Sequence, residues 1–305
     1  MRRWLSRHIN RARQAEPSAS KREERILTCE RDEYVFHYPS KSMVGHYLAI
    51  RGGWDTVLGP ILRALFPEDD VLVAEVGSNI GASLLQIKLA KPSAKVVCFE
   101  PSERFLPILR KNIAANEWTD VTIAKLLLAS AAGERKLFTN ATTASVVSAE
   151  YDNHDFLYAE EVETSTLDSY FSSSDRLDFL KVDTDGFDYD VLRGGSDVLS
   201  RLKPTLYFEF DKQLLERAGR DPAAFLAFLA TLGYKDFLAL SNYGEALSIA
   251  STPKQVMDLT EGTLYLDILG IHCDRPDQSA ALPELVTEIG SKHVLEPLDP
   301  ATLPD

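Results

Sequence analysis

Val71-Leu72-Val73-Ala74-Glu75-Val76-Gly77-Ser78-Asn79-Ile80-Gly81 is a short apolar run that ends in a carboxylate and then breaks into glycines. Five of the six residues from Val71 to Val76 are apolar. That is too short for a helix and the right length for a strand buried on both faces. The following residues, Ala82 to Ala90, carry apolar side chains at helical spacing. The order is therefore strand, glycine-containing turn, helix, the arrangement of a nucleotide-binding crevice. Gly77 and Gly81 let the backbone turn tightly and approach a ligand, because they have no Cβ. A second apolar strand, Lys95 to Phe99, ends in Glu100, where a carboxylate can accept two ribose hydroxyls.

The loop chemistry narrows the ligand. A dinucleotide site wants G-x-G-x-x-G so that a pyrophosphate can sit on bare backbone. Here the middle glycine is missing and Glu75 precedes the first one. An acid there is poorly placed for phosphate and suits a nucleoside with a positive amino group and no phosphates. S-adenosyl-L-methionine, leaving S-adenosyl-L-homocysteine as product, fits that description. Glycines alone would equally make a plain α/β turn with no ligand; Glu75 and Glu100 together argue against it.

The chain has 305 residues, 45% of them hydrophobic, enough for a sizeable core. Its net charge is −13, but the first 25 residues hold eight Lys and Arg against three Glu. The other 280 hold 25 Lys and Arg against 43 Asp and Glu. So acidic a body argues against nucleic acid as partner. Cys29, Cys98 and Cys273 are odd in number and far apart, without metal or disulfide spacing. No run of 18 apolar residues is present, and the N-terminus lacks a signal-peptide core. A cytoplasmic protein is expected. On a helix, Trp4, Leu5, His8, Ile9 and Ala12 would share one face, so residues 1–25 suit peripheral contact with an anionic inner membrane face or an acidic partner. A frayed tail would show the same short stripe.

Along the chain, an irregular polar and aromatic stretch (Tyr34, Phe36, His37, Tyr38, His46, Tyr47) precedes a helical pattern from Trp54 to Phe66. After Glu100 a helix over Glu103–Asn116 leads to a strand over Val121–Leu128, and Arg135–Phe138 reads as an added hairpin strand. The stretch Thr139–Glu161, with Tyr151, His154, Phe156 and Tyr158, has no period and reads as a lid or substrate loop. A strand over Leu177–Val182, a helix over Phe187–Leu199, a strand over Thr205–Phe210, a helix opened by Pro222 and strands over Tyr234–Leu240 and Leu264–Ile271 follow. Such alternation predicts an α/β, Rossmann-like doubly wound, mostly parallel seven-stranded sheet with helices on both faces and an N-terminal helical extension. The expected division is a basic and irregular extension over 1–50, the main domain over 51–275 and a weakly periodic tail over 276–305.

In such a sheet ligands bind beyond the carboxyl ends of the strands, where Glu75, Glu100, Asp183 and Glu209 should converge. Asp183 and Asp185 are candidates for taking a proton from an acceptor hydroxyl, with Lys181 and His154 as rival bases. Lys181 precedes Asp183 by two, so it points to the same face and can instead neutralise the acids. Asp183-Thr184-Asp185-Gly186 would also serve as a helix cap. A calcium loop counted from Asp183 fails, since Asp188 and Gly194 stand where glycine and glutamate are required. A divalent metal is not expected; the alternative ligand set is Asp183, Asp185 and Glu209.

These pieces carry a resemblance. Glu75-Val76-Gly77-Ser78-Asn79-Ile80-Gly81, Cys98-Phe99-Glu100-Pro101, Thr166-Leu167-Asp168, and Leu180-Lys181-Val182-Asp183-Thr184-Asp185-Gly186 with Leu192-Arg193-Gly194-Gly195 behind it resemble the FkbM-type class I methyltransferases. Together with Pro204 to Glu209 they cover about residues 70–210. The resemblance implies an adenosylmethionine-dependent O-methyltransferase that methylates a hydroxyl of a sugar, glycan, glycolipid or polyketide-like acceptor. It implies that Glu75, Gly77, Asn79 and Gly81 hold the methionine end and Glu100 the ribose. Ser78, Pro101 and Ser130 complete the expected cofactor set, and Glu209 and Asp211 the substrate side. Asp185 is a departure, since the family more often has Glu there. Competing expectations are a non-catalytic module anchored by its basic N-terminus and a nicotinamide-dependent oxidoreductase, the latter disfavoured by the missing glycine.

Overall fold

The structure is a computed structural model and describes residues 24–139, 143–146, 158–241, 243–261, 265–292, 295, 296 and 298. The basic segment 1–23 and His154, with most of the expected lid loop, lie outside the described residues.

The stretch that reads as irregular forms an antiparallel hairpin, β1 (Ile26–Arg31) and β2 (Tyr34–Pro39), followed by a helix over Met43–Arg51. Tyr34, Phe36 and Tyr38 alternate inward and are buried, a period-two signal hidden among aromatic and histidine residues. Asn112, on the helix Leu106–Ala115, holds the hairpin: its Oδ1 accepts the His37 N–H at 2.7 Å, and its Nδ2 donates to His37 O at 3.0 Å and Ile80 O at 2.8 Å.

The remaining strands are β3 (Leu72–Val76), β4 (Lys95–Phe99), β5 (Val121–Ala124), β6 (Leu127–Leu128), β7 (Gly133–Thr139), β8 (Ala144–Ser145), β9 (Tyr158–Ser165), β10 (Phe179–Val182), β11 (Thr205–Phe210), β12 (Tyr234–Ser241), β13 (Ala246–Ala250) and β14 (Leu266–His272). The large sheet runs β13-β12-β14-β11-β10-β3-β4-β5. From β11 to β5 every pairing is parallel, whereas β14 is antiparallel to both its neighbours. The chain thus has the Rossmann-like α/β fold; β13 adds an eighth, edge strand to the seven expected. The expected strand Val121–Leu128 is split, because β6 leaves the large sheet for a smaller one ordered β6-β9-β7-β8. Within it, β7 contains the expected hairpin strand and pairs antiparallel with β9.

Helices cover both faces. Leu58–Leu65, Ala82–Ala90 and Pro276–Lys292 pack on the side of Val73, Phe179 and Leu269, and Asp188–Arg193, Ser196–Leu202 and Pro222–Thr231 on the side of Val182, Leu206 and Phe208. The single helix expected over Phe187–Leu199 is two. A Cβ on Gly194 would lie 2.0 Å from Ala129 O, so the backbone there is pressed against the neighbouring strand end and the helix axis breaks.

From Pro276 to Lys292 the stretch expected as a weakly periodic tail is a helix. Pro283 inside it and its sparse apolar residues hide the period, yet Leu282, Leu285 and Ile289 are buried and Gln278 Nε2 donates to Leu65 O at 3.1 Å. Burying three such side chains contributes about 5–9 kcal/mol, comparable with the whole stability of a domain. Deleting residues 276–305 is therefore expected to abolish cooperative thermal unfolding; a melt like that of the full chain would place this helix outside the core.

Candidate active site

Strand register builds the site in two rows. Cys98, Glu75, Lys181 and Tyr207 stand side by side across β4, β3, β10 and β11. Two residues further along each strand direction the same face carries Glu100, Gly77, Asp183 and Glu209, and Glu209 is directly opposite Asp267 on β14. The lower row is buried polar chemistry in a sheet that should be apolar there, and it needs internal compensation.

Lys181 supplies it. It is 1% exposed, and its Nζ lies 2.8 Å from Asp183 Oδ2 and 3.3 Å from Asp55 Oδ2. Asp55, in the left-handed region with φ 50°, also accepts the Ser83 hydroxyl at 2.6 Å. Burial lowers the lysine's proton affinity, but Asp183, Asp55 and Glu75 together hold it well above the usual lysine range. Lys181 therefore stays charged and is not a base, which corrects one expectation.

Glu75 is fully buried beneath Ser78, accepts the Cys98 thiol at 3.3 Å and has Oε1 without a partner. Burial raises its pKa, against the pull of Lys181. It lines neither of the two cavities described below, lying one residue before the end of β3. Its carboxyl interacts with the Lys181 ammonium across the β3–β10 pairing.

Above this layer opens a cavity of about 220 Å³, whose wall includes the acids Asp55, Glu100, Asp183, Asp185, Glu209 and Asp267 and the aromatics Trp54, Tyr207, Tyr243 and Tyr265. No Lys or Arg is among its described lining residues. Gly77, Glu100, Ala144 and Asp183 are shared with a smaller chamber of about 40 Å³ lined by Phe99, Pro101, Leu126, Leu127 and Phe187. Gly77 has φ 85°, and a Cβ on it would lie 1.9 Å from Asp183 O, so no other residue fits. Ser78 and Asn79 line the cavity with it. Gly81, φ 90°, only turns the chain into the next helix, and a Cβ there would meet Leu109 at 2.8 Å.

Glu100 stands between the two chambers. Its Oε2 accepts Asn79 N–H at 2.7 Å and its Oε1 accepts Ser102 N–H at 2.9 Å. Burial nevertheless pushes its pKa up to about 7, the two amides opposing. Asp185 sits at φ 51° and accepts the Thr143 hydroxyl on the cavity wall. The capping role is not realised: the helix begins at Asp188 behind Phe187, without a side-chain cap.

Several expected residues are elsewhere. Asp211 caps the helix Lys212–Arg217, accepting Gln213 N–H at 2.7 Å and Leu214 N–H at 3.0 Å, and lines neither cavity. Ser130 donates to Asp190 at 3.2 Å, where Arg220 also binds, and is likewise outside both linings. The metal set Asp183, Asp185 and Glu209 does not assemble: among the described residues the only three ligand atoms within 4.8 Å of one another belong to His272, Cys273 and Asp274. Asp55, Tyr207, Tyr265 and Asp267 escaped the sequence reading. Tyr207 and Asp267 carried a signal, as polar residues in apolar strands at alternate positions to Glu209 and Leu269.

The arrangement fits adenosylmethionine. An apolar chamber beside Glu100 suits a base with its ribose, the Gly77 cradle allows close backbone approach, and an acidic wall without cations favours a positively charged ligand over a phosphate.

The family model for the methyltransferase FkbM domain matches residues 75–235, just over half of the chain. The chain is similar to methyltransferase sdnD of Sordaria araneosa, 28% identical over 155 residues, which cover 40% of this chain and 59% of that protein's length. Among solved structures it is similar to methyltransferase FkbM from Methylobacillus flagellatus KT, with 16% identity, 66% of this chain and 44% of that one covered, and TM-score 0.40. It is also similar to TYW2 of M. jannaschii in complex with AdoMet, with 11% identity, 84% and 90% covered, and TM-score 0.40.

The raised acids set a pH dependence. Between its ordinary value of 4.5 and about 7, Glu100 holds a proton in the folded protein that the unfolded chain has released. Stability of the ligand-free protein therefore falls as pH rises across that window, by up to roughly 3 kcal/mol for this group. Asp188, raised to about 8 mainly by burial, extends the slope upward. The melting temperature should be higher at pH 5.5 than at pH 7.5, and Glu100→Gln should flatten the difference; a wild-type melt that rises with pH would contradict this charge balance.

Proposed function

The chain belongs to the FkbM methyltransferase family, and from that premise we propose that it is an adenosylmethionine-dependent O-methyltransferase that methylates a hydroxyl of a sugar, glycan, glycolipid or polyketide-like acceptor by in-line displacement. The observation that carries this reading is the placement of Asp183. Its carboxylate stands at the end of β10 on the cavity wall, 39% exposed, fixed from below by Lys181 and adjoining the Gly77 cradle.

Adenosylmethionine, when bound, supplies an electrophilic methyl group on a sulfonium. Glu100 would accept the ribose hydroxyls, and the backbone of Gly77 to Asn79 would hold the methionine end. Asp183 receives the acceptor hydroxyl and takes its proton as the oxygen attacks. Lys181 cannot compete for that proton; it orients Asp183 and Asp55 on either side of itself. Most of the rate advantage lies in holding nucleophile and methyl group in line, so fixed side chains matter more than a strong base. The acidic wall favours this over nicotinamide chemistry, since a pyrophosphate would face carboxylates with no Lys or Arg among the described lining residues.

Asp183→Asn keeps shape while removing the charge. Turnover of labelled adenosylmethionine with a responsive glycan or lipid extract is expected to fall about 100-fold, with cofactor affinity within a factor of about two. Unchanged methyl transfer by this variant would remove Asp183 from the chemistry.

A further inference from the structure

Glu209 on β11 and Asp267 on β14 stand directly opposite each other in an antiparallel pair, and both line the cavity. Neighbouring strands lie about 4.8 Å apart, and like charges directly opposite destabilise a sheet. Burial first, and the surrounding acids second, push both carboxyls well above the usual range. Glu209 Oε2 has no hydrogen-bond partner. Tyr207, 2% exposed and lining the same wall, brings its hydroxyl beside Asp267 without closing a hydrogen bond. Lys181 pulls on Asp267 but does not outweigh burial and the neighbouring acids, because its ammonium is paired closely with Asp55 and Asp183.

Building on the methyltransferase reading above, we propose that this wall is an ammonium site: the methyl acceptor carries a protonated amine that seats between Glu209 and Asp267, beside Tyr207 and Tyr265. An alkylammonium offers three N–H donors. Two meet the opposed carboxylates, the third meets the unpartnered Tyr207 oxygen, and the tyrosine rings favour a cation close by. A neutral hydroxyl would satisfy the same atoms without offsetting the negative charge that the pair takes on when it gives up its protons. A phosphate-bearing acceptor would be repelled. The amino group of the cofactor is a second source of the same chemistry, but β3, which carries the Gly77 cradle, is two strands from β11, about 10 Å away.

Calorimetry on protein saturated with S-adenosylhomocysteine tests this, with glucosamine, N-acetylglucosamine and glucose as probes. Glucosamine should bind at least about ten-fold tighter than the other two. That preference should vanish in Glu209→Gln and Asp267→Asn, both of which keep shape and remove a like-charged neighbour, so that their melting temperatures should not fall. Affinity for S-adenosylhomocysteine should be unchanged in both. Equal binding of the three sugars, or no glucosamine binding at tens of millimolar, overturns the site. Loss of S-adenosylhomocysteine affinity in the two variants overturns it differently, by assigning the acids to the cofactor. Failure of the wild type to bind S-adenosylhomocysteine at all would instead sink the methyltransferase reading, and the ammonium site with it.

Discussion

Lys181 is the buried charge on which the rest of the site depends. It sits beneath an acidic wall and ties together three parts of the chain: Asp183 at the end of β10, Asp55 ahead of the helix Leu58–Leu65, and Glu75 in β3. Replacing a buried ion pair by apolar groups is often harmless, whereas removing one partner leaves an uncompensated charge. Here one ammonium serves three carboxylates, so its loss would leave several. The arrangement does little for stability. What it fixes is position, since Asp55 and Asp183, both on the cavity wall, are drawn toward one nitrogen.

Above that layer the balance is deliberately incomplete. Six acids on a cavity wall with no cation among its described lining residues keep the ligand-free state under electrostatic strain. The raised proton affinities of Glu100, Glu209 and Asp267 are the same fact seen from the protein's side. A positively charged ligand relieves what a phosphate would worsen. Charge thus discriminates between nucleotides more sharply than the glycine spacing does.

Much of this was legible in the sequence. Val71–Gly81 gives strand, turn and helix because five-residue burial and a positive-φ glycine leave a recognisable pattern, and Gly77 is pinned by the Asp183 carbonyl. Alternation along β10 placed Lys181 and Asp183 on one face. The hairpin β1-β2 was not legible, since part of its hydrogen bonding comes from Asn112 and Asn116, some 75–81 residues away. Asp211 and Ser130 look like site residues on spacing alone; only the structure shows that one caps a helix and the other serves Asp190. Asp55 has no local signal at all, because its role arises from a tertiary approach to Lys181.

The central claim is that the cavity above Lys181 is an adenosylmethionine site and not a phosphate site. Calorimetric titration of the full chain with S-adenosylhomocysteine and, separately, with NADH tests it most directly. The account predicts one-to-one binding of S-adenosylhomocysteine and no heat with NADH. Binding of NADH with none of S-adenosylhomocysteine would contradict it.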